Sequence, residues 1–321
     1  MRKLLAVLCV LAPPSAAAQP APPPALDPVV PQFAEIETVR SIARPGPALW
    51  HITKGNSEVW IMGMIRALPK DVIWNKQPIS DVITGANAII APPKAKIDVM
   101  DVSWFLLGHC CSLFRLNKGK LDDFLPEATK VKLAMLRESV GGDARLYQGD
   151  EPLGAADRLN SDFAKKYGLS EQNPLPTVLQ LASDKNVPQQ PAFRFDPMPI
   201  VREAVKLTSQ EQLPCLEAAM EDAARAAEHG RAMAEAWAVG NIKEVKAHFA
   251  VSRLQDCQAA TVHAIGDIEQ NRIPAFVTAI DAALDKPGKT VVVVGLLPLL
   301  RKGGVLEQLE TQHLSIEGPT E

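Results

Sequence analysis

The sequence predicts an α/β (α+β) fold: a central mixed β-sheet formed by N- and C-terminal strands, with a large helical middle region. Three observations carry that prediction. Two strand-like apolar runs, ALWHIT at 48–53 and EVWIMGMI at 58–65, lie near the front of the chain. An uninterrupted β-branched run, Lys289 to Gly295 (KTVVVVG), lies near its end. Between them, apolar residues recur at the 3.6-residue spacing of helices.

Taken in order, the first two runs flank Lys54-Gly55-Asn56, a hairpin signal. Pro78 opens a short helix whose apolar face is Ile79, Val82, Ile83 and Ala86. Asn87 to Ala91 then reads as a short buried strand stopped by Pro92-Pro93. Strand, helix and strand in so short a stretch form a βαβ unit, so strands 58–65 and 88–91 are expected to be parallel. Helices are expected over 121–138, Leu153 to Tyr167, 174–187 and 197–208. The alanine-rich stretch 213–250 is periodic, with a break near Gly240. Residues 263–284 carry a good helical face, with a break or kink expected at Pro274. The valine run suits a central strand buried on both faces. A turn and short helix follow at Gly303 to Glu310, then His313 to Ile316 as an edge strand. Strands at both ends with helices between imply one domain, residues 45–321, with a helical insertion at about 100–260.

The extreme N-terminus has the three-part layout of a secretory signal. Arg2 and Lys3 precede an apolar run, Leu4 to Ala12, then Pro13-Pro14 and the small residues Ser15 to Ala18 ahead of Gln19. The run is shorter than the roughly 20 apolar residues a bilayer span needs. Residues 1–18 are therefore expected to be a signal peptide and the mature protein periplasmic or secreted. Residues 19–44 begin rich in proline and are expected to form a stiff tether. No later stretch reaches transmembrane length.

Removing the signal takes the formal net charge from −3 to −5, because Arg2 and Lys3 leave and no acid does. No Lys/Arg cluster stands out, which argues against nucleic acid as a partner. Sparse aromatic residues argue against a sugar-binding groove. Four cysteines survive processing: Cys110, Cys111, Cys215 and Cys257. In an oxidising compartment an even count suggests disulfides. A bridge between the neighbours Cys110 and Cys111 is sterically awkward. Cys215 and Cys257 flank a helical stretch and are the favoured pair; buried free thiols are the alternative.

Compact catalytic motifs are absent. The histidines His51, His109, His229, His248, His263 and His313 form no H-E-x-x-H. His109-Cys110-Cys111 resembles a ligand cluster, but three consecutive residues cannot all face one ion without a sharp turn. There is no G-x-S-x-G and no glycine-rich phosphate loop. Asp122-Asp123 fits the acidic first turn of a helix.

Two sets of residues carry a family resemblance. The front set is Leu49-Trp50, Glu58 to Ile65, Leu68-Pro69, Trp74 and Ala86 to Ile90. The rear set is Pro287 to Gly295, Gly303 to Leu306 and Ile316 to Pro319. In order, spacing and strand context the chain resembles the TraB/GumN (TraB/PrgY/GumN) family of the TIKI-like metalloprotease clan. The resemblance implies a mixed sheet surrounded by helices and a metal-dependent hydrolase site at the sheet's edge. It also implies a G-x-x-H histidine after the second strand and a glutamate ending the next strand. An Arg-Asn pair on the penultimate helix and a histidine after the late Val-Gly complete the set. Two imidazoles and a carboxylate can hold a divalent metal with a position open for water.

At those positions this chain carries Arg66, Pro92, Gln270-Asn271 and Pro298. Proline offers no side-chain ligand atom, and arginine is no neutral ligand. Metal binding, a cofactor and catalysis are therefore not carried over. The expectation is a catalytically degenerate, periplasmic binding or accessory protein, in effect a pseudoenzyme. Its ligand-binding candidates are Arg66, Gln270 and Asn271, and its partner would be a peptide, a carboxylate-bearing ligand or an envelope protein. The alternative is an active hydrolase whose catalytic groups have relocated, with His51 or His313 as candidates. A third reading is an envelope assembly factor acting through its helical surface.

Overall fold

The computed structural model describes residues 31–36, 39–40, 46–66, 68–97, 120–169, 173–249 and 251–319. The stretch expected to be a signal peptide, the first part of the expected tether, Cys110, Cys111 and the His109 cluster lie outside the described residues.

The expected hairpin forms β2 (Leu49–Lys54) and β3 (Ser57–Met64). The turn is two residues long, and Gly55 takes a φ of 60°, a conformation that glycine adopts without a Cβ penalty. Trp50 lies opposite Ile61 and Ile52 opposite Val59, and all four are buried. His51 lies opposite Trp60 on the other face. β8 (Gly288–Gly295) runs parallel to β3 along its whole length. Its four consecutive valines, Val291 to Val294, are fully buried, as expected for a central strand covered on both faces.

Seven strands form the mixed sheet among the described residues, in the order β1-β9-β2-β3-β8-β4-β6. Here β4 is Ala88–Ala91, β6 is Gln189–Pro191, β9 is Ile316–Gly318 and β1 is Val39–Arg40. A separate two-stranded pair joins β5 (Lys94–Ala95) to β7 (Arg194–Phe195). Strands β3 and β4, joined through helix α1 (Gln77–Ile83), are parallel in sense, but β8 lies between them. The late valine strand has two apolar faces to bury, and this slot covers both. The expected edge strand starts later than predicted. His313 sits in a turn with φ 62°, and β9 begins at Ile316 between β1 and β2.

Part of the stretch assigned to the tether is bonded into the body. Phe33 bridges to Arg301, Ala34 N–H donates to Leu300 O (3.0 Å), and Lys302 N–H donates to Gln32 O (2.8 Å). Val39–Arg40 pairs with β9. The prolines stop at Pro31. The residues after it have backbone donors and the apolar side chains Phe33 and Ile36, so they can pair and pack.

The helical middle contains α2 (Glu127–Ser139), α3 (Pro152–Lys166), α4 (Pro174–Asp184) and α5 (Met198–Ala204). The helix expected over 121–138 begins as a separate 3-10 turn, Leu121–Phe124. Pro126 causes the break, because the residue before a proline is pushed to extended backbone, here Leu125 at ψ 141°. α6 (Ser209–Ala238) follows, a helix of 30 residues and about 45 Å. Its N-cap Thr208 and Glu211 form a reciprocal capping box. Its first half packs in a helical core with Leu159, Phe163 and Leu133, while Ala234 and Trp237 near its end join the core beneath the sheet. One rigid helix thus spans both cores. Gly240, at φ 76°, ends the pattern where predicted, and α7 (Ile242–His248) resumes it. α8 (Arg253–Thr261) and α9 (His263–Leu284) complete the region, and α9 runs through Pro274 without interruption. Two short helices, α10 (Leu296–Leu300) and α11 (Val305–Glu310), follow β8.

Candidate functional site

Strands β3 and β8 end together, with Met64 opposite Gly295. In sheets of this kind, the crevice beyond the carboxyl ends of parallel strands gathers the following loops and helices, and ligands bind there. A cavity of about 300 Å³ opens at this place. Met64, Ile65 and Arg66 enter from the end of β3, and Leu296, Leu297 and Pro298 from the start of α10. α8 contributes Gln255, Asp256 and Ala259, α9 contributes Glu269, Arg272 and Ile273, and Phe249, Val251 and Arg301 close the rim.

Close packing brings α10 onto the sheet. A Cβ on Gly63 would lie 2.4 Å from Leu296 Cδ1 and 3.2 Å from Trp50, so any side chain here would push these buried neighbours aside. The Gly63 carbonyl accepts from Trp237 Nε1 (2.8 Å), which anchors α6 to the same strand end.

α8 is held from α6 at several points, among them an ion pair between Arg253 and Glu221. The Asp222 carboxylate accepts from the backbone N–H of Arg253 (2.9 Å) and Leu254 (3.0 Å) and from Ser252 Oγ (2.8 Å), so it serves as a cap for the helix start. The predicted disulfide is present: Cys215 on α6 is bonded to Cys257 on α8. These ties fix where Gln255 and Asp256 stand.

The charged groups divide into paired and unpaired. Arg272 Nη2 lies 2.5 Å from Glu269 Oε1, which also accepts from Gln255 Nε2 (3.2 Å). Arg272 Nε is buried without a partner. Among the described residues, neither the Arg66 nor the Arg301 side chain has a hydrogen-bond or ion-pair partner. Burial pushes the Asp256 carboxyl above the usual carboxylate range; the charges of Asp222 and Glu269 add to this, and Arg301 opposes it.

Of the residues singled out from sequence, Arg66 and Pro298 line the cavity, while Pro92, Gln270 and Asn271 do not. Gln270 and Asn271 are exposed, and Asn271 Nδ2 donates back to Asp267 O in its own helix (2.8 Å). The reason is helical geometry. α9 turns its Ile273, Phe276, Val277 and Ile280 face inward, and Glu269 and Arg272 continue that stripe, whereas positions 270 and 271 point about 100–200° away from Glu269. Two charged residues on the extension of an apolar stripe were the signal in the sequence. Neither His51 nor His313 lines the cavity. His51 is on the sheet face, stacked on Trp60 with ring centroids 4.0 Å apart, its Nε2 3.1 Å from Glu58 and its Nδ1 3.3 Å from Glu317.

A family model describing the TraB/PrgY/gumN family matches residues 48–318. The chain belongs to this family. No curated protein and no solved structure matches it significantly. The TraB/PrgY/gumN match runs from just before β2 to the end of β9, so it takes in every element that lines the cavity. Among the described residues of this family member, no three His, Cys, Asp or Glu side chains gather closely enough to hold a metal ion.

A second groove, of about 530 Å³, lies between α1 and the outer face of β3. Several of its polar groups are already engaged: Gln77 with Asp81 (2.6 Å), Lys289 with Thr84 O (2.5 Å) and Glu58 with Trp60 Nε1 (3.2 Å). The cavity at the strand ends, with its unpaired guanidinium groups, is the stronger candidate.

Proposed function

We propose that this member of the TraB/PrgY/gumN family is an exported, catalytically degenerate binding protein that takes an anionic ligand into the cavity at the ends of β3 and β8. The observation that carries the reading is Arg66. It lines the cavity with no acidic partner among the described residues. A guanidinium recognises a carboxylate through paired, charge-assisted hydrogen bonds. The residues at the resembled ligand positions, Arg66, Pro92 and Pro298, supply no metal-ligating side chain. Export rests on the signal-like residues 1–18 and places the binding in the periplasm or outside the cell.

The second reading is a hydrolase with relocated groups, and Asp256 favours it. A carboxyl with a raised pKa in a cleft beside unpaired arginines has the makings of a general acid next to an anion-stabilising pair.

The test uses the purified mature chain in calorimetric titration with small carboxylates, beside peptide and ester hydrolysis assays with and without added zinc or manganese. Binding that Arg66→Ala abolishes, without turnover, is the expected result. Turnover lost in Asp256→Asn would replace the binding reading with the hydrolase. Amino-terminal sequencing of the protein recovered after expression with its own leader checks cleavage near Gln19.

A further inference from the structure

The cavity's charge balance and its walls narrow the ligand class, on the footing that the cavity binds an anion at all. Glu269 and Arg272 neutralise each other at 2.5 Å. What remains is two unpaired guanidinium groups, Arg66 and Arg301, against the single carboxyl of Asp256. The site therefore offers about one positive charge, and a second negative charge on a ligand would meet Asp256 or Glu269. Much of the rest of the wall is apolar, including Phe249, Val251, Leu297 and Pro298. A bare inorganic anion would leave that surface without a partner, whereas an alkyl or aryl body would cover it. The volume, about 300 Å³, lies at the small end of ligand sites.

We infer that the cavity takes a small amphipathic monocarboxylate, with its head group at the unpaired arginines Arg66 and Arg301 and its apolar body against the Phe249–Leu297 side. Two sources share this chemistry: a free short-chain or aromatic acid, and the carboxyl-terminal residue of a peptide.

The experiment is calorimetric titration of the mature protein at pH 7 with acetate, hexanoate, N-acetyl-leucine, hexylammonium and inorganic phosphate. It is run on the wild type, Arg301→Ala and Leu297→Gln, each checked for folding by circular dichroism. Affinity should rise from acetate to hexanoate by about fourfold per buried methylene, the equivalent of ~0.8 kcal/mol. Arg301→Ala should weaken hexanoate at least tenfold, Leu297→Gln should remove the chain-length dependence, and hexylammonium should not bind. Hexanoate tighter than N-acetyl-leucine assigns the free acid, and the reverse assigns the peptide terminus. Phosphate binding as tightly as hexanoate, or no gain with chain length, overturns this ligand class but leaves the anion-binding function standing. Failure of every anion to bind the folded wild type removes both.

Discussion

Cys257, bonded to Cys215 with Cα atoms 5.4 Å apart, directly follows Asp256 in α8, so the cross-link between α6 and α8 is also a fixture of the cavity wall. It closes a loop with a sequence separation of 42, for which the chain-entropy model gives about 4 kcal/mol of stabilisation. The double substitution Cys215→Ser, Cys257→Ser should cost about 2–4 kcal/mol in urea unfolding. A reductant should lower the wild-type midpoint and leave the variant's unchanged. Carboxylate affinity should fall with the cross-link, because α8 then depends on the Asp222 cap and the Arg253–Glu221 ion pair, both non-covalent, to hold its register against α6.

Asp256 gives a pH signature. Its folded pKa is raised by burial and by Asp222, so the native state holds the proton more tightly than the unfolded chain does. Its contribution to stability is therefore most favourable below the ordinary aspartate value, about 3.9, and is lost as pH rises through the raised folded value. Asp256→Asn should match the wild type in acid and melt higher at neutral pH. Thermal unfolding from pH 4 to 8 checks the sign, and a neutral-pH variant that melts lower than the wild type would contradict it. Carboxylate binding by the wild type should strengthen toward acid pH, and Asp256→Asn should flatten that dependence.

Phe33 secures the rim of the cavity. Its ring meets Phe249 edge-on at 6.0 Å between centroids, and its backbone bridges to Arg301. Phe33→Ala should destabilise by about 1–2 kcal/mol through lost apolar and aromatic contact. It should also weaken carboxylate binding severalfold, because Phe249 and Arg301 both lose a support. Denaturation and titration of the same variant separate the two effects.

Trp237→Phe tests the anchor at the strand end. The indole N–H is the side-chain donor to the buried Gly63 carbonyl, and phenylalanine keeps most of the ring volume while leaving that acceptor without it. The expected cost is about 1–3 kcal/mol by chemical denaturation. A neutral result would mean that the contact is replaceable by water.

The sequence alone determined the elements whose code is local. Gly55-Asn56 fixed the hairpin through the turn it permits, the valines of β8 fixed a doubly covered strand, and the 3.6-residue stripe of α9 fixed a helix, although the break expected at Pro274 does not occur. The front and rear motifs also fixed the family. Arg66 was legible as a residue of the cavity lining because the end of a strand is a position readable from the chain. Tertiary structure alone decided which strand lies between β3 and β4, because pairing across more than two hundred residues depends on which apolar faces remain to be buried. It also decided the cavity's other charges. Asp256, Glu269, Arg272 and Arg301 come from three separate segments, and only the packing of α8, α9 and α10 against the ends of β3 and β8 brings them to one place. Gln270 and Asn271 lie outside the cavity lining for the same reason. A motif gives a position along the chain, but the rotation of a helix about its axis is set by the apolar stripe it buries.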